Sequence, residues 1–284
     1  MYPNTKVIDE DEKGKHKYIT YELEYSEENK EFLNYILPVL KEEYGFGISL
    51  EEKLDKTPRT DIIKKFLAEN NVPNPEKHKM PNRPWLSNAR SKISECLAKD
   101  MLKKIDNVKF TSKIVFEEED PDMPKRGLDN FGFIFNEEDG KCLLSGIVSC
   151  EVKASDSKKS PPEVVDYKED SMFNSLKSIS NIDDRLKKAI AKALTKLTES
   201  EYFELIANLV CDLQLSDNLD SIKNKMVVVP FLLRKSEYYT TNDYGKFKTH
   251  EYEFGQTTIK YYIVNLNYEI NEFAEEIYTK LREG

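Results

Sequence analysis

Two apolar runs separated by an acidic turn, FGFIFNEEDGKCLLSGIVSCEV, constrain this chain more than any other stretch. Residues 130–136 and 142–152 are rich in β-branched and aromatic side chains, and Asp139-Gly140 between them is a short-hairpin signal. A β-hairpin is therefore predicted, and with it a sheet. Asp129 stands before the first strand, and Glu151-Val152-Lys153 ends the second after eight residues, 143–150, without a charge. A strand that stays apolar and then sets a carboxylate beside an ammonium has two explanations. Either it is reaching solvent, with a surface pair of little energetic weight, or it is building a site.

The turn decides which. If Glu138-Asp139-Gly140 form a three-residue loop with Gly140 left-handed, Glu137 pairs with Lys141 and Asp129 lies opposite Ser149. Side chains alternate between faces, so Ser149, Glu151 and Lys153 share one face and Asp129 joins them as a diagonal neighbour. A two-residue Asp-Gly turn sends Asp129 to the other face, and a bulge changes the parity again.

Around this hairpin the patterns predict a mixed α/β (α+β) fold, a sheet bracketed by helices. Strands are predicted at 17–25, 110–116, 226–234 and 258–268. Helices are predicted from Ser26 to Gly45, kinked or divided at Pro38, and at 59–70, 85–105, 171–180, 183–197, 200–213 and 270–283. The helix over 85–105 repeats Leu86, Ala89, Ile93, Leu97, Met101 and Ile105 at helical spacing. Pro73, Pro75, Pro81 and Pro84 mark the best boundary between an N-terminal extension, residues 1–80, suited to partner docking, and a main domain, residues 81–284.

Composition limits the function classes. The chain has 284 residues, 33% of them charged, and a net charge of −9, which argues against a generally basic nucleic-acid-binding surface. A local basic track remains: Lys177, Arg185, Lys187, Lys188, Lys192 and Lys196 fall in one helical region, as a solvated face or as phosphate contacts. No apolar window approaches the roughly 20 residues of a membrane span, and the N-terminus lacks the apolar centre of a signal peptide, so cytoplasmic residence without a membrane partner is expected. Cys96, Cys142, Cys150 and Cys211 have no CxxC spacing and read as small buried hydrophobes. Three histidines, His16, His78 and His250, give no histidine-rich metal site. The tyrosine-rich stretch 236–254 reads best as a polar β-hairpin. A base-stacking platform and a docking surface are its alternatives.

Two carboxylates and an ammonium at a strand end suit a hard divalent cation. Mg2+ takes oxygen ligands and usually one or two carboxylates, leaving water and substrate phosphate to complete its shell. Asp129 and Glu151 would be those carboxylates, the Val152 carbonyl could add a third protein oxygen, and Mn2+ is an alternative occupant. Lys153 would hold the attacking water or stabilise developing negative charge. Phosphodiester hydrolysis needs this set, and few other chemistries do.

An Asp followed 22 positions later by Glu-x-Lys at the end of a hairpin resembles the PD-(D/E)xK nuclease superfamily, with its restriction-endonuclease-like fold. Glu95, in ARSKISECLAKDML, matches an acid which that superfamily often carries on the helix preceding the sheet, and Leu128 stands in place of the proline. RGLDNFGFIF followed by SCEVKAS, after that helix, is similar to the HamA family, nuclease subunits of Hachiman antiphage defence systems, over residues 85–155. The resemblance implies a DNA nuclease of little sequence preference, restrained by a superfamily-2 helicase subunit, HamB. It implies catalytic roles for Asp129, Glu151, Lys153 and Glu95. The alternatives are a non-catalytic regulator with a nuclease-like fold and a sequence-specific restriction-type endonuclease.

Overall fold

In the computed structural model, residues 3–26, 30–54, 58–76, 85–117, 121–122, 127–215 and 219–283 are described. Seven strands form one mixed sheet: β1 (Thr5–Lys13), β2 (His16–Leu23), β3 (Lys109–Phe110), β4 (Asn130–Glu138), β5 (Lys141–Ser155), β6 (Met226–Lys235) and β7 (Thr258–Leu266). Their order across the sheet is β1-β2-β7-β6-β5-β4-β3. The β4/β5 hairpin is antiparallel, while β5, β6, β7 and β2 run parallel. Parallel neighbours need crossovers that cover a face, and such strands are buried on both sides. That explains why β6, MVVVPFLLRK, is apolar without alternation.

Helices α1 (Lys30–Glu43), α2 (Ile48–Glu51), α3 (Pro58–Asn71), α4 (Trp85–Ile105) and α11 (Ile270–Glu283) gather about one face. There Leu33, Ile93, Leu97, Phe273 and Ile277 pack with Val148, Cys150, Val152 and Phe231. The crossovers α5 (Glu163–Asp166), α6 (Met172–Ser180), α7 (Asp184–Lys196), α8 (Phe203–Leu215), α9 (Asp220–Lys225) and α10 (Lys246–Thr249) form a second cluster. Leu176, Leu186, Ile190 and Phe247 there cover Ile147, Val228, Leu232 and Ile263. Alternate residues of β5 thus enter opposite cores, which directs Glu151 and Lys153 towards α6 and α7.

Several expectations need correction. Pro38 lies inside one continuous α1 and does not divide it. The strand expected at 110–116 is two residues of β3 and a 3-10 turn at Ile114–Phe116. Residues 236–254 are short 3-10 and α-helical turns. They are not a hairpin, because Tyr244 and Phe247 turn inward as core residues. β1 is not among the predicted strands, since its alternation is masked by Asp9, Glu10, Asp11 and Glu12 on an edge strand. Cys96 and Cys150 are buried, but Cys142 and Cys211 are exposed.

The proposed boundary lies partly at Pro81 and Pro84, outside the described residues, as does His78. On the described residues, β2 pairs with β7, and α1 and α3 pack on α11. A division at residue 80 therefore runs through one sheet and one core. No helix among the described residues is long and apolar enough to cross a membrane.

Candidate active site at the base of the hairpin

The hairpin turn has two residues, since Glu138 pairs with Lys141. Asp139 and Gly140 both have positive φ, 51° and 72°, as a type I′ turn requires. The expected three-residue loop is thus corrected. A bulge intervenes between turn and base: Ile134 pairs with Gly146 and Phe135 with Leu144, leaving Ser145 extra. The Ser145 hydroxyl donates to the Ile134 carbonyl at 3.1 Å, which satisfies an acceptor the interrupted ladder strands. Beyond the bulge Asn130 pairs with Cys150, so Asp129 precedes β4 opposite Glu151 and not opposite Ser149. The two-residue turn and the bulge each shift the register by one in the same direction, so together they restore the parity and keep Asp129 on the side of Glu151 and Lys153.

The Val152 N–H donates to Asp129 Oδ2 at 2.7 Å. A strand residue's N–H and C=O leave the same edge, so the Val152 carbonyl is directed to the side where Asp129 sits. Lys153 Nζ donates to Glu151 Oε1 at 2.8 Å, and the Ser175 hydroxyl, from α6, donates to Glu151 Oε2 at 3.0 Å. Behind Ser175 stands Arg185 of α7. Its Nη1 donates to Ser175 Oγ and its Nη2 to the Ser175 carbonyl, each at 2.9 Å. Arg185 is in turn held by Asp183, which also caps α7 through the N–H groups of Arg185 and Leu186. One polar chain therefore runs Lys153–Glu151–Ser175–Arg185–Asp183.

Burial alone would lower the Lys153 pKa. The carboxylates of Glu151, Asp129 and Asp170 outweigh burial and hold it above the ordinary lysine value of 10.5. The same carboxylates thus favour the cationic form of Lys153. The Asp183 carboxyl is held below its usual range: burial opposes this, but the Leu186 N–H, Arg185 and Ser178 prevail.

Glu151 and Lys153 open onto a cavity of about 310 Å³, whose other walls are Gly127, Glu169, Asp170, Asn174, Ser175, Ser178 and Arg185. Ser175 was not foreseen. Its signal is a polar stripe, Ser171, Ser175 and Ser178, on a helix otherwise apolar at Met172, Phe173, Leu176 and Ile179. Glu95 is placed differently. Its helix packs against the face of Cys150 and Val152, away from the one bearing Glu151. It meets the hairpin by its backbone carbonyl, which accepts from Asn130 Nδ2 at 3.0 Å. Among the described residues, no group of three or more His, Cys, Asp or Glu side chains stands close enough to hold a metal ion. No family model matches this sequence, and no curated protein matches it.

Proposed function

We propose that the protein is a divalent-metal-dependent DNA endonuclease whose centre is the base of the β4/β5 hairpin. The observation that carries this reading is the return of Asp129 to the β5 edge, with its carboxylate on Val152 N–H beside the Glu151–Lys153 pair at an open cavity. The donor chemistry fits Mg2+ or Mn2+: two carboxylates, from Asp129 and Glu151, and the Val152 carbonyl on the same side, with a cavity that admits water and phosphate. A bound cation would neutralise phosphate charge and acidify an attacking water. Lys153, held protonated, donates to the oxygen on which charge builds. Ser175 and Arg185 keep the Glu151 carboxylate oriented through the cycle. Glu95 supports the hairpin from behind through Asn130.

The likeness of RGLDNFGFIF and SCEVKAS to HamA supports a role in antiphage defence with a superfamily-2 helicase partner. The net charge of −9 supports delivery of DNA by that partner, because phosphate affinity depends on neutralising cations.

A second reading, a non-catalytic regulator of a DNA-processing partner, has its own observation: both Glu151 oxygens are engaged, by Lys153 and by Ser175. Plasmid cleavage titrated with Mg2+ and Mn2+, with and without the partner, separates the two. Wild type is expected to cut, while Glu151→Ala and Lys153→Ala stay folded and do not. Cleavage retained by a folded Glu151→Ala/Lys153→Ala double variant ends the nuclease reading, and a wild type inert under every condition favours the regulator.

A further inference from the structure

Helix α7 carries Arg185, Lys187, Lys188, Lys192 and Lys196 against a single acid, Asp184. Its buried side is Leu186, Ile190 and Ala193. Arg185, Lys188, Lys192 and Lys196 recur at i, i+3, i+7 and i+11, so they line one stripe that flanks that side, about 16 Å long at 1.5 Å per residue. Lys188, Lys192 and Lys196 are exposed. Lys177, by contrast, is paired with Glu253. Among the described residues no carboxylate pairs with Lys188 or Lys192. The stripe is not an isolated solvated face, because its first member, Arg185, is a wall of the cavity and holds Ser175 against Glu151.

We infer that the α7 stripe is the track on which the DNA backbone lies as it leaves the cavity. This rests on the nuclease reading and extends it by assigning the phosphate-binding side chains. A protein of net charge −9 repels DNA over most of its surface. Arg185 itself is paired with Asp183, so the local inversion of sign begins one turn further on, at Lys188, and marks where a strand can approach. Successive phosphates of one strand advance about 3.4 Å along a duplex axis, so a stripe of this length reaches several of them. Lys188 and Lys192 position substrate without touching the reacting atoms.

The test has two arms. In the first, duplex binding to the full chain is followed by fluorescence anisotropy across a salt series, with chelator present so that nothing is cut. Lys188→Gln/Lys192→Gln is expected to reduce the slope of log K against log salt by about 1.8, at about 0.9 for each phosphate no longer neutralised. Lys188→Arg/Lys192→Arg should restore it, and Lys53→Gln/Lys65→Gln, on α3 and the segment before it, should leave it unchanged. An unchanged slope in the α7 variant, an equal loss in the control, or no duplex binding by wild type at low salt overturns the track. In the second arm, hydrolysis of bis(p-nitrophenyl) phosphate with Mg2+ reads the centre alone. The α7 variant is expected to keep that activity while losing cleavage of long duplex. If wild type hydrolyses neither substrate, the nuclease reading fails, and the binding arm still decides the track.

Discussion

Replacing Arg234 with Met tests whether the strand next to the hairpin anchors the loop that follows Lys153. Arg234 is fully buried on β6, as is its partner Asp243. Its Nε donates to Asp243 Oδ2 at 2.8 Å. Its Nη1 donates to the carbonyls of Ser155 and Ser157 at 3.3 and 2.5 Å, and its Nη2 to those of Lys159 and Tyr238 at 2.9 and 2.8 Å. Asp243 in turn accepts from the Ser160 hydroxyl. Removing one partner of a buried pair costs about 3–5 kcal/mol, because the other charge is stranded. At roughly 2–4 °C per kcal/mol for a chain near this size, Tm should fall by on the order of 10 °C. Urea denaturation and thermal melting by circular dichroism measure the loss. Arg234→Met/Asp243→Leu should recover part of it, since no charge is then left unpaired. Hydrogen exchange should quicken first at residues 155–159, whose carbonyls lose their donors. A single variant that melts within about 2 °C of wild type, with exchange unchanged there, refutes the anchoring role and the energetic reasoning together.

Two further predictions concern the hairpin. Because the folded Lys153 pKa lies above 10.5, its ion pairs contribute stability that is fully present below that value and lost as pH rises through the folded pKa. The stability difference between wild type and Lys153→Met should therefore stay constant from neutrality up to about pH 10 and shrink only above it; shrinkage near neutrality contradicts the assignment. A Cβ at Gly132 would stand 2.7 Å from both the Lys109 carbonyl and Val108 Cγ1. Gly132→Ala should push β3 from β4 at a cost of about 1–3 kcal/mol by urea denaturation, and equal stability would show that the edge yields freely.

Legibility in the sequence followed how local the determinants were. The helix at 85–105 and the closing helix at 270–283 stand where their 3.6-residue patterns place them, although the first is buried on every side from Lys92 to Leu102 and the second buries one stripe. β1 was missed because an edge strand beside a single neighbour can carry charge at nearly every position. The stretch 236–254 misleads because Tyr18, Thr20 and Tyr261, on other strands, receive one of its tyrosines, Tyr244, in the core. The nearness of Asp129 to Glu151 and Lys153 was expected from a three-residue loop, and it arises instead from a two-residue turn and a bulge that the sequence does not announce. The opposite wall was not legible: Ser175 and Arg185 reach Glu151 only because α6 and α7 fold back across β5, a tertiary outcome of the crossover.

The extra residue at Ser145 ties the length of the hairpin to the placement of Asp129 at its foot. Its arms behave like a two-toothed gear: losing one tooth anywhere between Asn130 and Cys150 rotates Asp129 behind the sheet, and losing a second brings it round again. Homologues of this chain should therefore tolerate hairpins of different reach only when insertions and deletions along the two arms come in compensating steps. Drift in the distant tip is thus policed by the demands of the base.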